Sequence, residues 1–141
     1  IWYWARKPEV PLDHPRSGVA LPWRECLAYP GGNQMRVMRD IFDSIPWWQL
    51  RPDRSLLGDN PVDEGFTNYI VAASSEKKDF ALVYLPKNEA VRLNLAGRKK
   101  PAQATWIDPR TGRRKPSGNV SGTVELKPPD TQDWLLLLDW R

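Results

Sequence analysis

The sequence predicts a mainly β fold, an antiparallel β-sandwich with an N-terminal helical segment packed against it. Downstream of residue 57, short apolar runs recur roughly every 10 to 14 residues, with turn-forming residues and no helical pattern between them. Several of these runs are apolar at every position, as expected for strands that are covered on both faces. Upstream, residues 31–45 carry one apolar stripe with helical spacing.

The size and composition of the chain fit one folded domain. Its 141 residues suffice for a single core, and its 40% hydrophobic and 27% charged residues are typical of a globular protein. No run approaches the roughly 18 apolar residues of a membrane span, so we expect no membrane partner. Cys26 is the single cysteine, which rules out a disulfide framework. Ile1–Trp4 is unusually aromatic, and we expect the sequence to be a piece of a longer protein.

The apolar stripe predicts a helix over residues 31–45. Pro46 ends this helix, because the residue before a proline avoids the helical conformation. A shorter helix is predicted over residues 22–27, upstream of a Pro-Gly-Gly break. Five side chains form the stripe, and we expect them to pack into the core: Met35, Met38, Ile41, Phe42 and Ile45.

Trp47 and Trp48 follow this helix directly. Adjacent side chains of a β-like segment point to opposite faces, so one ring can pack on the helix while the other meets something else. The pair is then a structural wedge, or it is a platform for a sugar or a peptide.

Six runs are predicted to be strands, at residues 68–73, 80–85, 90–95, 102–107, 120–126 and 134–138. The runs 91–95 and 124–127 alternate between apolar and polar residues, as half-exposed strands do. The runs 69–73, 81–85 and 134–138 do not alternate. We expect one face of these strands to meet the opposing sheet, and the other to meet the helix and tryptophan segment or a neighbouring domain.

Residues 102–118 predict a β-hairpin. Asp108 can accept a hydrogen bond from the backbone two residues on, and Pro109 has a φ suited to the next turn position. Gly112 can adopt the positive φ that closes a longer hairpin loop with a bulge. Trp106 and Arg110 of this hairpin are candidate ligand contacts.

No set of residues indicates catalysis, a metal or a cofactor. His14 is the only histidine, which excludes a multi-histidine metal site, and a nucleophile–base pair of Cys26 and His14 lacks a third group. No carboxylate stands in a context that favours glycoside cleavage. The basic residues of 98–115 fall into two small patches, roughly 16 Å apart along the hairpin, so we do not expect nucleic-acid binding.

Several motifs follow one another in a specific order. They are Ile45-Pro46-Trp47-Trp48-Gln49-Leu50, Phe80-Ala81-Leu82-Val83-Tyr84-Leu85-Pro86, Trp106-Ile107-Asp108-Pro109-Arg110-Thr111-Gly112 and Asp133-Trp134-Leu135-Leu136-Leu137-Leu138-Asp139. This order resembles the C-terminal part of bacterial glycoside-hydrolase-like proteins of the apiosidase type. Their last domain carries the name "putative collagen-binding domain of a collagenase". The resemblance covers roughly residues 22–140.

The resemblance implies a parent protein with a (β/α)8 barrel followed by a β-sandwich. Residues 1–57 would be an extended segment and a helix, the remnant of the barrel, and residues 58–141 would be the sandwich. The catalytic carboxylates of such a barrel lie on earlier strands, which this chain lacks. The implied partner is the catalytic barrel, in cis or as a separate chain, and we expect an extracellular or periplasmic location.

We therefore expect a non-catalytic module that braces the barrel or binds an extended polymer, either a polysaccharide or a collagen-like chain. The alternative is part of a polysaccharide-degrading glycoside hydrolase whose catalytic residues lie in a missing or separate chain. Ring stacking would supply the affinity for a polymer. Exposed coplanar rings would favour binding, and rings buried against the helix would favour a brace. The candidate contacts are Trp47, Trp48, Trp106 and Arg110.

Overall fold

The computed structural model describes residues 4–5, 21–87 and 90–141. The predictions for residues 1–3 and for His14 fall outside these ranges. No helix in the described ranges is long and apolar enough to span a membrane. The helices and strands are β1 Trp4–Ala5, β2 Leu21–Pro22, α1 Trp23–Cys26, α2 Pro30–Asp43, β3 Leu50–Pro52, β4 Val71–Ser75, β5 Phe80–Leu85, β6 Val91–Leu95, β7 Ala102–Ile107, β8 Arg114–Val120, β9 Gly122–Leu126 and β10 Trp134–Asp139.

The predicted mainly β, antiparallel architecture is confirmed. Six strands form one sheet in the order β3-β4-β5-β10-β7-β8, and every neighbouring pair is antiparallel. Strands β6 and β9 form a second, two-stranded antiparallel sheet. A bridge between Leu57 and Leu93 extends this small sheet on its β6 side. The short strands β1 and β2 pair in parallel, apart from both sheets.

The larger core lies between the six-stranded sheet and the β6–β9 pair. Strand β6 alternates strictly between buried and exposed residues, as its sequence predicts for a strand with one solvated face. The large sheet contributes inward-facing side chains from its two central strands, including Val83, Leu136 and Leu138. Trp106 and Trp134 pack edge to face in this core, with ring centroids 6.4 Å apart.

A second core lies on the opposite face of the large sheet, under helix α2. Val37 and Ile41 of the helix, with Ile45 beyond its end, cover the sheet residues Phe80, Leu82, Ile107 and Leu137. Strands β5 and β10 are therefore buried on both faces, which confirms the expectation from their unbroken apolar runs. The same expectation for residues 69–73 is wrong, because Val71 of β4 is 48% exposed. The molecule has three layers, with the six-stranded sheet in the middle.

The apolar stripe of α2 is only partly the one predicted from sequence. Met35 and Met38 were expected in the core, but they are 48% and 44% exposed. Val37, which the sequence analysis did not include, is buried with Ile41 and Ile45. At about 100° per residue, positions 37, 41 and 45 share one face and positions 35 and 38 lie on the next, while the half-buried Phe42 packs against the core under α2 as expected. Helix α2 thus carries two adjacent apolar stripes, and the sheet covers one of them.

The segment that joins α2 to the sheet also differs from the prediction. Trp47–Gln49 forms a single 3-10 turn, so its two adjacent side chains are not on opposite faces of a strand. Strand β3 follows at once and pairs with β4, while Leu56 lies in the larger core. Residues 50–52 therefore contribute a strand to the six-stranded sheet, and Leu56 contributes a side chain to the larger core.

The predicted hairpin is confirmed, except that its bulge lies within the paired strands and not beside the loop. Strands β7 and β8 pair antiparallel, with a register shift between Ala104 and Thr105 that marks a bulge. Gly112 has φ +77°, the left-handed conformation that was expected. The backbone N–H of Arg110 donates to Oδ1 of Asp108 at 2.9 Å, the turn-stabilising bond two residues on.

Candidate functional site

Trp47 and Trp48 lie on the surface at the junction of α2 and β3. Trp47 is 51% exposed and Trp48 is 62% exposed, and both values are high for tryptophan. The two rings meet edge to face, with centroids 6.3 Å apart and planes 80° apart. Neither ring packs on the helix as a buried wedge would. The pair is also not the coplanar platform that the sequence analysis associated with binding.

The chain on each side of the tryptophans fixes this junction. Upstream, Ile45 is buried against the sheet. Downstream, Leu50 pairs with Ser75 of β4 and packs against the second core, which lies under α2. The guanidinium of Arg51 donates to the carbonyl oxygen of Trp48 at 3.0 Å. The two rings are exposed because their flanking residues are anchored in the core and the turn between them points outward.

A second aromatic pair lies near the other end of β3, and the sequence analysis did not identify it. Phe66 is 69% exposed, and its ring lies edge to face with Tyr69 at a centroid distance of 6.4 Å. The guanidinium of Arg54 lies 5.6 Å from the centre of the Tyr69 ring. A single apolar residue within the polar stretch Asp63-Glu64-Gly65-Phe66-Thr67-Asn68 was the available signal.

The loop that carries Phe66 is held in place by side-chain hydrogen bonds. The Asp63 carboxylate accepts from the backbone N–H of Thr67 at 2.7 Å and from the Thr67 hydroxyl. The Asn68 side chain accepts from the Asp63 N–H at 2.9 Å and donates to the Pro61 carbonyl at 3.1 Å. Phe66 itself has φ +55°, which is unusual for a bulky residue and costs on the order of 1 kcal/mol. Several polar contacts thus hold the loop in a conformation that exposes one apolar ring to water.

Arg110, a predicted contact, lies among three carboxylates. Its Nε lies 2.7 Å from Asp108, and its guanidinium is 3.8 Å from Asp130 and 3.9 Å from Asp133. Burial alone would raise the pKa of Asp108, but hydrogen bonds from Arg110 and Thr111 outweigh it, so this pKa lies below its usual value. The hydrogen bond to Asp108 also raises the pKa of Arg110. The guanidinium is therefore committed to contacts within the chain.

Trp106, the fourth predicted contact, is only 2% exposed and forms part of the larger core. It offers no surface to a ligand in this structure, and we leave it out of the candidate site. The four predicted residues are therefore not brought together. Trp47 and Trp48 share a surface, whereas Arg110 and Trp106 belong to the hairpin and the core.

Other chemistry is limited within the described residues. They contain no group of three or more histidine, cysteine or acidic side chains that could hold a metal ion. A cavity of about 280 Å³ lies between α2 and the β7–β8 turn, and Arg36, Asp40 and Arg114 are among the residues that line it. Arg36 and Asp40 lie 3.8 Å apart, and Arg114 donates to the Ser44 hydroxyl at 2.6 Å. These charged groups already have partners, so the cavity does not indicate a catalytic centre.

Two solved structures share this fold. One is titled "Glycoside hydrolase": it aligns with a TM-score of 0.75 and 19% identity over 89% of this chain and 30% of that chain. The other is a glycoside hydrolase family 5 protein from Bacteroides vulgatus ATCC 8482, with a TM-score of 0.73 and 19% identity over 84% of this chain and 26% of that chain. The chain thus spans less than a third of these proteins. No curated protein matches it.

A family model matches residues 51–139, well over half of the chain. The matched region begins within β3 and ends with β10, so it coincides with the two sheets and excludes α2. Its description agrees with the resemblance found in the motifs. This chain belongs to the family described as "Putative collagen-binding domain of a collagenase".

Proposed function

We propose that the chain is a non-catalytic accessory module that packs against the catalytic domain of a glycoside-hydrolase-like protein. The observation that carries this proposal is the second apolar stripe of α2. One stripe of the helix covers the sheet, and the neighbouring stripe exposes Met35 and Met38 to water. An exposed apolar stripe beside a covered one widens the apolar surface of a helix beyond what one partner buries, which favours a second packing partner.

Residues before α2 extend this exposed apolar surface. Leu27 and Tyr29, in the turn between α1 and α2, are both exposed. We call Leu27, Tyr29, Met35 and Met38 the helical face. A group of exposed apolar side chains usually marks an interaction site. Met35 and Met38 lie on the side of α2 that the sheet does not cover, where a second domain can pack without disturbing the sandwich.

The comparisons support a catalytic domain as the partner. The two similar structures are named glycoside hydrolases, and more than two thirds of each lies outside the aligned part. The proposal assigns no catalytic residue to this chain. An extracellular or periplasmic location belongs to the same proposal, because enzymes that cut large polymers meet them outside the cell.

Methionine oxidation tests the helical face directly. The chain has only two methionines, and both lie on this face, so sulfoxide formation assigned to Met35 and Met38 by peptide mass mapping reports on it. Two samples should receive the same dose of peroxide: the 141-residue chain, and a longer polypeptide that also contains the residues encoded upstream of Ile1. We expect Met35 and Met38 to oxidise several-fold more slowly in the longer polypeptide. Equal oxidation rates in both would contradict the proposal.

A second candidate function is the binding of an extended polymer, and a separate observation favours it. Trp47 and Trp48 are more than half exposed and lie outside the helical face. Large rings held in water at an anchored turn are suited to stacking on a sugar or a peptide. Loss of binding to an immobilised polymer in a Trp47→Ala, Trp48→Ala double variant would support this function, and unchanged binding would contradict it.

A further inference from the structure

We propose that a helix of the catalytic domain lies beside α2, on a part of the six-stranded sheet that α2 leaves exposed. Five apolar or aromatic side chains on the helix side of the sheet define this part, which we call the sheet corner: Pro52, Val71, Ala73, Tyr84 and Leu135. The inference rests on the proposed function, packing against a catalytic domain, and adds a second contact surface and the element that covers it.

The strand register places these side chains on one continuous surface. Val71 of β4 pairs with Tyr84 of β5, which pairs with Leu135 of β10. Leu135 pairs in turn with Ile107 of β7, a residue of the core under α2. Paired residues of an antiparallel sheet lie on the same face, so this first row belongs to the helix side of the sheet.

A second row lies beside the first, two residues along each strand. Pro52 of β3 pairs with Ala73 of β4, and Ala73 pairs with Leu82, which is buried under α2. Side chains two residues apart on a strand share a face, so the two rows form one surface.

Exposure along the first row increases with distance from α2. Ile107 is buried under the helix and is only 1% exposed. Tyr84 and Leu135 are half-buried, and Val71 is 48% exposed. Pro52, on the edge strand beside β4, is exposed as well. Helix α2 therefore covers the β7 end of this surface and leaves its β4 end open.

Helix α2 turns an apolar side chain toward the sheet corner. Arg36 and Asp40 line the cavity together with Arg114, so that side of α2 faces β8. Met38 is two residues from each of them and therefore lies about 160° away around the helix axis. Met38 thus points away from β8, toward β5 and β4, and the helical face borders the sheet corner.

The open part of the sheet has the width of one helix. Neighbouring strands are about 4.8 Å apart, so β4, β5 and β10 together present a surface about 10 Å wide. An α-helix with its side chains is about 10–12 Å across, and packed helices lie about 8–10 Å apart. A second helix can therefore lie on these three strands and contact α2 at its side.

The polar groups at the rim of the corner have partners within the chain. The Tyr84 hydroxyl is hydrogen-bonded to the Asp133 carboxylate, and burial together with this negative charge raises the pKa of Tyr84. Asp133 also lies 3.9 Å from the Arg110 guanidinium. The corner thus presents mainly apolar surface, which fits the apolar stripe of an amphipathic helix.

The catalytic domain is the occupant that these observations favour. The helical face, which the proposed function assigns to that domain, borders the corner. In each of the two similar structures, more than two thirds of the chain lies outside the aligned part. One partner that packs on the helical face can therefore cover both surfaces.

Thiol labelling tests the sheet corner separately from the helical face. Val71→Cys, in a Cys26→Ser background, should be treated with a maleimide in the 141-residue chain and in the longer polypeptide that contains the residues encoded upstream of Ile1. We expect labelling to be several-fold slower in the longer polypeptide, and equal rates would overturn the sheet corner. Gln103→Cys is the matched control, because Gln103 is exposed on the same face of the sheet but lies next to β8. Its labelling should be equal in both, and slower labelling at this position too would overturn a contact confined to the corner.

A short diazirine label on Val71→Cys of the longer polypeptide identifies the occupant by photochemical insertion. We expect insertion at residues upstream of Ile1 that are three or four positions apart, the spacing of one helix face. Insertion at alternate residues would indicate a strand and overturn the assignment to a helix. Insertion into residues 6–20 or into a second copy of the chain would overturn the assignment to the catalytic domain.

The two experiments distinguish this inference from the proposed function. Slower oxidation of Met35 and Met38 with equal labelling of Val71→Cys would overturn the sheet corner and leave packing through the helical face in place. Equal rates in both experiments would contradict both. Circular dichroism of each variant verifies that it is folded.

Discussion

The Arg110 Nε donates a hydrogen bond of 2.7 Å to Oδ1 of Asp108, two residues earlier in the turn between β7 and β8. The same carboxylate is buried and also accepts from the Arg110 N–H and the Thr111 hydroxyl, both at 2.9 Å. Arg110 was expected to contact a ligand. Its contacts also make it part of the turn that holds the hairpin closed.

Replacing Asp108 by alanine should destabilise the protein by about 2–4 kcal/mol, because a buried carboxylate with several hydrogen-bond donors would be lost. Urea denaturation measures this change in the free energy of unfolding. Glu64→Ala, at an exposed acidic residue, is the control and should change stability by less than about 0.5 kcal/mol. A loss as small as the control's would show that the turn does not depend on Asp108.

Stability should fall in acid, because several carboxyl groups have pKa values below the ordinary value of about 3.9. For Asp108, burial opposes this shift, but its hydrogen bonds prevail, and for Asp139 the Arg141 side chain is the main cause of the lowered pKa. Below pH 4 the unfolded chain then binds protons before the folded one, so stability is present above pH 4 and is lost as pH decreases further. Urea midpoints between pH 6 and pH 3 should show this decrease, with a smaller decrease in Asp108→Asn. If the urea midpoint falls with pH equally in both proteins, Asp108 does not contribute to the loss of stability in acid.

Gly112→Ala should destabilise the protein by about 1–2 kcal/mol. Gly112 has φ +77°, and an added Cβ would lie 3.4 Å from Cγ1 of Val37, so the turn would be strained where it meets α2. Gly97 is the matched control, because its φ is not in the left-handed region and nothing lies within 4 Å of its added Cβ. Gly97→Ala should be neutral or slightly stabilising. Thermal unfolding of both variants checks the difference, and equal changes would count against the strain.

The two faces of β10 should respond separately to mutation. Leu136 lies in the larger core and Leu137 lies under α2, so each truncation to alanine should cost about 2–5 kcal/mol. Combining Ile41→Ala with Leu137→Ala should show a coupling energy of about 0.5–3 kcal/mol, because the two residues share one cluster. When Ile41→Ala is combined with Leu136→Ala, the loss in the free energy of unfolding should be close to the sum of the two single losses. Equal coupling in both pairs would contradict a three-layer arrangement.

Trp134 and Trp140 should differ in their tolerance of phenylalanine. The Trp134 Nε1 donates to Asp130 at 2.8 Å, whereas the buried Trp140 Nε1 has no partner among the described residues. Trp134→Phe should therefore destabilise the protein more than Trp140→Phe, which removes an unsatisfied donor. Parallel urea titrations give the order, and the reverse order would show that packing against Arg98, 4.6 Å from the Trp140 ring, matters more.

Local patterns predicted several elements well, for local reasons. Asp108, Pro109 and Gly112 each suit one turn position, and the turn forms as expected. The unbroken apolar runs of β5 and β10 indicated that both faces of these strands are covered, because every position in the runs is apolar. Helix α2 was found by its spacing, but the choice of buried face was partly wrong. Two apolar stripes lie side by side on it, and only contact with Phe80 and Leu137 selects between them.

The candidate site was less predictable. The exposure of Trp47 and Trp48 depends on how Ile45 and Leu50 are anchored, and the approach of Arg54 to Tyr69 joins segments that are distant in sequence. Trp106 is as aromatic as either of them, yet it is buried because strand β7 turns that side chain toward the second sheet.

The sequence by itself determined the class of fold, the hairpin and the need for a layer on each face of the central strands, because period and turn chemistry are local properties. Only the tertiary structure decided which aromatic rings stay in water and which apolar stripe of α2 remains uncovered. Exposure depends on what packs above a residue, and that is set by distant parts of the chain.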